Sequence, residues 1–192
     1  MMENEKMINV VKEKEGPKSV GLLLTDKNQI SISLVSSFIF WCMKRDIYRV
    51  TVYDPWNLLA NYEHEIVMES QKILSTYNMI RNIKTSEYIK LYVLGPSTCH
   101  NVLSKVTKQM CMEHENIGKG SINERLMKEF IYEVDLLVRV GDIPTLCGYP
   151  CWGLRLTEIV DVPKFGNKNY VTEVEFDKLL STFTSRDRRR GK

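Results

Sequence analysis

The feature that most constrains this 192-residue chain is an alternation of short apolar runs with longer amphipathic segments. The first run, Ser19 to Leu24, is continuous and ends in a polar loop, as a buried parallel strand does. Arg49 to Tyr53, Ile89 to Leu94 and Asp135 to Val140 have the same character. Asp, Pro or Gly follows each run within two residues, and these residues end strands. The sequence therefore predicts four strands.

The segments between the strands repeat apolar residues at helical spacing. The predicted helices cover, in order, Leu34 to Cys42, Leu58 to Leu74 and Val102 to Met110. Ser121 with Glu124, and Thr172 with Glu175, have the spacing of a capping box, in which two side chains satisfy the free backbone donors of a helix start. Two further helices are expected to begin at these boxes.

Strands that alternate with helices imply right-handed crossovers. The predicted fold class is α/β, with a mainly parallel central sheet and helices on both faces. In such sheets ligands bind beyond the carboxyl ends of the strands. That rule directs attention to the loops at Asp26, Asp54, Gly95 and Gly141.

Length and composition predict a polar segment over residues 1–18 and one domain over residues 19–192. The net charge of +3 is located in the last seven residues, because the rest of the chain has 22 basic and 23 acidic residues. A broad nucleic-acid-binding face is therefore not expected. The five cysteines are irregularly spaced, which favours a reducing compartment. No apolar run has the length of about 20 residues that a membrane span needs.

Three features have both a structural and a chemical interpretation. Asp26 follows the first strand, where a carboxylate binds metal, transfers protons or simply caps a turn. Arg139 lies in an apolar strand and needs an anionic partner, for which Glu158, Asp142 or a bound diphosphate are the candidates. The C-terminal segment from Arg186 is either a solvated helix end or an arm that reaches a phosphate.

Three ordered blocks of the chain resemble cis-prenyltransferases. These blocks are Asp135-Leu-Leu-Val-Arg-Val-Gly141, Trp152-Gly-Leu-Arg-Leu-Thr-Glu-Ile-Val160 and Arg186-Asp-Arg-Arg-Arg-Gly191. Val20 to Leu24, Trp41 to Met43 and Val50 to Asp54 also look like the Nogo-B receptor branch of this family, which is the accessory subunit of the dehydrodolichyl diphosphate synthase complex. The resemblance covers nearly the whole chain from Val20.

The resemblance also marks departures from the catalytic members. Their first strand is followed by Asp-Gly-Asn-Arg-Arg, whose aspartate holds magnesium and whose arginines bind phosphates, whereas this chain has Asp26-Lys-Asn-Gln-Ile30. A second diphosphate-binding pair, arginine and serine, falls on Thr145 and Cys147. Asn28 and Arg139 match diphosphate-binding positions that are retained. Asp26 matches the family's metal-binding aspartate, and Glu158 matches a carboxylate that helps to hold the metal across the dimer. The resemblance therefore implies weak or no activity for the chain alone.

The implied function is that of an accessory subunit in a heteromeric cis-prenyltransferase. Arg189, Arg190 and Gly191 match the family's Arg-x-Gly motif, which reaches into the other subunit's site. The complex would extend farnesyl diphosphate with isopentenyl diphosphate, using Mg²⁺, to make polyprenyl diphosphate for dolichol and protein glycosylation. The implied location is the cytosolic face of the endoplasmic reticulum membrane, through a catalytic partner, or else the cytosol. A self-sufficient homodimeric enzyme and a non-enzymatic binding or receptor module are the alternatives.

Overall fold

The structure is a computed structural model that describes residues 16–81, 88–99, 102–113, 118–167 and 169–186. The strands are β1 (Ser19–Leu24), β2 (Arg49–Tyr53), β3 (Lys90–Leu94), β4 (Leu136–Val140) and β5 (Glu158–Val162). The helices are α1 (Ile32–Lys44), α2 (Glu63–Arg81), α3 (Pro96–Cys99), α4 (Val102–Met112), α5 (Lys119–Lys128) and α6 (Glu173–Ser185). The four predicted strands are present, and β5 is a fifth that the sequence did not predict.

The five strands form one parallel sheet in the order β3-β2-β1-β4-β5. This arrangement confirms the predicted α/β class. The chain moves outward from β1 to β3 and then returns to the other side of β1 with β4. The strand order therefore reverses between β1 and β4, the place where α/β sheets bind ligands.

Each face of the sheet has its own apolar core. Helices α1, α2 and α6 cover one face, where every residue from Leu34 to Met43 is buried and α1 is the central core helix. Helices α4 and α5 and the loop around Tyr149 cover the other face. In the described part of the chain, no helix is long and apolar enough to cross a membrane.

The helix starts agree with the sequence in part. At α6 the Thr172 hydroxyl accepts a hydrogen bond from the Glu175 amide at 3.3 Å, and the Glu175 carboxylate accepts one from the Thr172 amide at 2.8 Å. This capping box is confirmed. The prediction for α5 was wrong by three residues, because the N-cap is Gly118 and Ser121 lies inside the helix, where its hydroxyl accepts a bond from the Gly118 amide at 3.0 Å.

Candidate functional site

The loops that follow β1 and β4 meet where the strand order reverses. The Thr25 amide and hydroxyl both donate to the Val140 carbonyl, at 2.8 and 2.9 Å. Gly141 has φ +128°, and a Cβ there would lie 2.2 Å from the Thr25 hydroxyl oxygen and 2.9 Å from the Asp26 amide nitrogen. Only glycine fits this contact. Asp26 and Gly141, which the sequence assigned to separate loops, therefore form one crevice.

Asp26 has a clear local role in this crevice. Its carboxylate Oδ1 accepts a hydrogen bond from the Asn28 amide at 2.9 Å and caps a single 3₁₀ turn over Lys27–Gln29. Asp26 is half-buried, and the Asn28 side chain is exposed. Capping was one of the roles that the sequence allowed for Asp26. Metal binding by Asp26 and diphosphate binding by Asn28 stay predictions.

The two residues after Asn28 pack towards the protein core, Gln29 fully and Ile30 in part. Gln29 is only 6% exposed, and its Oε1 has no hydrogen-bond partner in the described part of the chain. Ile30 packs against the core that α1 and α2 cover. The buried Gln29 side chain is therefore not available to a ligand above the loop, and the half-buried Ile30 has no polar group that could bind a phosphate.

Arg139 forms an ion pair within the sheet. Its side chain is 12% exposed, and its Nε lies 2.5 Å from the Asp161 carboxylate, on the strand position that is in register with Arg139. The partner is thus Asp161, rather than the Glu158 or Asp142 that the sequence suggested. The sequence missed Asp161 because it did not predict β5. A diphosphate would have to share Arg139 with Asp161.

Glu158 lies at the opposite end of the sheet from Asp26. It is the first residue of β5 and is in register with Leu136 of β4, which in turn is in register with Val20 of β1. Asp26 is six residues beyond Val20, or about 20 Å along the strand direction. The Glu158 carboxylate forms an ion pair with Arg186. One chain therefore does not bring together the two predicted metal carboxylates.

Among the described residues, Asp26 is the carboxylate that this crevice offers to Mg²⁺. The described ranges contain no group of three or more His, Cys, Asp or Glu side chains that could hold a metal ion. Mg²⁺ is commonly held by one or two carboxylates together with water and substrate phosphates, and Asp26 supplies one carboxylate, whose Oδ1 also accepts a backbone bond. Magnesium binding at this crevice therefore stays a prediction.

The loop after β2 is held by a buried carboxylate. Asp54 is 1% exposed and accepts hydrogen bonds from three backbone amides, those of Trp56 at 2.8 Å, Leu59 at 2.9 Å and Leu58. The sequence placed Asp54 among the loops that face a ligand. Its acceptor positions are instead used to fold the connection from β2 to α2.

The loop that contains Thr145 and Cys147 is held by hydrogen bonds within the protein. The Thr145 hydroxyl accepts a bond from the Cys147 amide at 3.2 Å, and the Cys147 carbonyl accepts one from the Tyr53 hydroxyl at 2.9 Å. Burial raises the pKa of Tyr53 to about 12, so this phenol remains a donor at neutral pH. Neither loop residue carries the positive charge that a diphosphate requires.

The comparisons with known proteins agree with this architecture. No protein-family profile matches the chain. It is 24% identical over 199 aligned positions to the dehydrodolichyl diphosphate synthase complex subunit NUS1 of Homo sapiens, and the match includes 92% of this chain and 67% of the relative. The Nus1 subunit of Mus musculus is also 24% identical, with 92% and 66% coverage. The chain thus spans about two thirds of the length of these relatives.

Solved structures give the same fold. A probable undecaprenyl diphosphate synthase from Campylobacter jejuni superposes with a TM-score of 0.64 at 14% identity, over 93% of this chain and all of the other. A lavandulyl diphosphate synthase from Lavandula x intermedia gives a TM-score of 0.62 at 13% identity, over 91% and 98%. The chain therefore has a cis-prenyltransferase-like fold and is similar in sequence to NUS1. At the two positions where the sequence resemblance implied that phosphate-binding arginines are missing, Gln29 is buried and Ile30 packs partly against the core.

The Arg-x-Gly residues Arg189, Arg190 and Gly191 lie outside the described residues, within a segment of residues 187–192 that we call the tail. The structure does describe where the tail starts. Helix α6 ends at Ser185, and Arg186 donates to the Ile159 carbonyl at 3.3 Å, at the amino end of β5. The tail therefore begins at the amino ends of the strands, whereas the Asp26 crevice lies at their carboxyl ends.

Proposed function

We propose that the chain is the accessory subunit of a heteromeric cis-prenyltransferase, and that its tail completes the active site of a catalytic partner. The observation that carries the proposal is the Asp26 loop, in which Gln29 is buried and Ile30 packs partly against the core, so neither position presents a cation. A loop without its phosphate-binding cations loses most of the electrostatic stabilisation that diphosphate chemistry needs. The similarity to NUS1, which is by name a complex subunit, supports the same conclusion.

The start of the tail favours action on a neighbouring subunit. Arg186 is anchored beside Glu158, about 20 Å along the strands from the Asp26 of its own chain. Gly191 follows Arg186 by five residues, which span at most about 18 Å when fully extended. This reach is shorter than the separation of about 20 Å, so the backbone of Gly191 does not reach the Asp26 crevice of the same chain. A partner packed beside β5 lies within easier reach.

The chemistry assigned to the tail is recognition of a diphosphate. The guanidinium groups of Arg189 and Arg190 bind phosphate oxygens in a bidentate manner, and Gly191 allows backbone amides to approach closely. The diphosphate is that of isopentenyl diphosphate, which is added to farnesyl diphosphate. The partner supplies the ligands for Mg²⁺, the arginines for the allylic diphosphate and the cavity for the growing chain. This chain contributes by positioning substrate.

The product assigned to the complex is a long-chain polyprenyl diphosphate, the precursor of dolichol for protein glycosylation. Its proposed location is the cytosolic face of the endoplasmic reticulum membrane, with the attachment made through the partner. A cytosolic complex is the alternative.

The test measures incorporation of isopentenyl diphosphate into farnesyl diphosphate with Mg²⁺ for three samples. These are the chain alone, a catalytic cis-prenyltransferase subunit alone, and the two co-purified. The proposal expects activity to rise only when both are present. Product formed by this chain alone would contradict it and support a self-sufficient homodimer. No effect of the chain on a bound catalytic subunit would support a non-enzymatic binding module.

A further inference from the structure

The ion pair between Glu158 and Arg186 connects the sheet to the first residue after α6. We propose that Glu158 is a positioning residue for the tail: by holding Arg186 it fixes the last described residue before the tail. The inference rests on the proposed function of the tail. It gives Glu158 a task that differs from the metal binding that its family resemblance implies.

The Glu158 side of the pair is firmly attached to the sheet. The Glu158 amide donates to the Asp135 carbonyl at 2.9 Å, and the neighbouring Thr157 hydroxyl donates to the Val134 carbonyl at 2.7 Å. The Asp135 carboxylate in turn accepts the Ser19 amide at 3.0 Å. The backbone that carries Glu158 is thus tied to both β4 and β1, so its carboxylate is presented from a rigid base.

The helix side of the pair is equally well fixed until its last residue. The inner face of α6 buries Phe176, Leu179 and Phe183, and the capping box at Thr172 secures its start. Arg186 is the first residue with an extended backbone, at φ −75° and ψ 139°. Because the helix ends there, the position of Arg186 depends on the contacts of its side chain.

The surroundings of the pair make it stronger than a fully exposed one. The Glu158 side chain is 19% exposed and that of Arg186 is 49% exposed. The Arg186 guanidinium also donates to the Ile159 carbonyl at 3.3 Å, which fixes its orientation through a second acceptor. A partly buried, charge-assisted contact of this kind biases an equilibrium by about three- to tenfold.

Such a bias matters because Gly191 follows Arg186 by only five residues. An arm that starts from a fixed point has a higher effective concentration at a nearby site than an arm whose base swings freely. Loss of the ion pair is therefore expected to weaken capture of isopentenyl diphosphate, while the reacting groups, which belong to the partner, stay unchanged.

The experiment is a double-mutant cycle in the full chain, co-purified with a catalytic subunit. The variants are Glu158→Gln, Arg186→Gln and the double change, with Arg186→Lys as the conservative variant. We expect each single change to raise the KM for isopentenyl diphosphate by about three- to tenfold with kcat nearly constant, the double change to be no worse than either single one, and Arg186→Lys to restore part of the loss.

The matched control is Glu133→Gln, which breaks the Glu133–Arg155 ion pair near the same end of the sheet, with side chains 47% and 50% exposed. Glu133→Gln should leave the KM unchanged. Magnesium titration separates the two roles of Glu158, because a metal ligand shifts the Mg²⁺ requirement and a positioning residue does not. Melting temperatures identify any variant that fails to fold. If Glu158→Gln fails to fold, the KM measured for Arg186→Gln decides the test, because Arg186 is the more exposed residue of the pair.

Two results would overturn the inference: additive effects of the two single changes, or a raised Mg²⁺ requirement in Glu158→Gln with no effect of Arg186→Gln. A chain that lacks residues 187–192 separates this failure from that of the proposed function. If the truncated chain still activates its partner fully, the proposed function fails. If truncation removes activation but the cycle shows no coupling, only the role of Glu158 fails.

Discussion

Restoring an arginine at position 29 is expected to destabilise the protein, without giving it activity of its own. Gln29 is 6% exposed, and its amide oxygen lies in the interior. A guanidinium in this place would be a buried charge, and the Asp26 carboxylate of the same turn is already used to accept the Asn28 amide. Leaving one charge of that kind uncompensated costs about 3 kcal/mol. For a domain of this size, the change corresponds to a melting temperature lower by about 6–12 °C.

The assay is thermal and urea unfolding of Gln29→Arg beside Asn28→Arg. Asn28 is in the same turn but exposed, so the same arginine there should change the free energy of unfolding by less than about 0.5 kcal/mol. Equal stability of the two variants would refute the assignment of Gln29 to the core. Gain of farnesyl diphosphate binding by Gln29→Arg would refute the conclusion that this loop position has lost access to ligands.

Three further predictions concern the framework of the site. Gly141→Ala should cost about 2 kcal/mol or more in chemical unfolding, because its Cβ would lie 2.2 Å from the Thr25 hydroxyl, while Gly120→Ala, inside α5 with nothing within 4 Å of the added Cβ, should be neutral or stabilising. Asp54→Asn should cost about 1–3 kcal/mol by urea unfolding, since a carboxylate that accepts three backbone amides is replaced by an amide with one acceptor oxygen; a loss below 0.5 kcal/mol would argue against this role. Burial raises the pKa of Glu175, but hydrogen bonds from the Gly166 amide and from Thr172 outweigh burial and hold it below its usual range. The stabilisation by Glu175 is therefore present above pH about 4.3 and is lost as pH falls through the lower folded pKa, so melting curves of Glu175→Gln should converge with those of the unmodified protein only in acid.

The strands were predictable wherever both faces of the sheet are covered. β1 and β2 match their predicted bounds, because strands that are buried on both faces require continuous apolar runs. β5 escaped prediction because Glu158 and Asp161 interrupt its apolar pattern, as edge strands permit. The Arg139–Asp161 pair was missed for the same reason. The start of α5 was misplaced because Ser121 and Glu124 have the spacing of a capping box, although Ser121 is the third residue of the helix.

The site was predictable at the level of loops but not of side chains. The rule that ligands lie beyond the carboxyl ends of parallel strands brought attention to Asp26 and Gly141, and these residues do meet. The burial of Gln29 has no sequence signal, since glutamine is usually exposed. The contact of Glu158 with Arg186 depends on α6 returning to the amino end of the sheet, which only the three-dimensional arrangement establishes.

The proposed function requires the tail of this chain to complete the active site of a partner. The most direct test compares complexes of one catalytic subunit with the full chain, with a chain that lacks residues 187–192, and with Gly191→Ala, at equal occupancy of the complex. The measured quantity is the rate of isopentenyl incorporation into farnesyl diphosphate. We expect truncation to lower this rate to that of the catalytic subunit alone, and Gly191→Ala to lower it substantially. Full activity of the truncated complex would contradict the proposed function of the tail.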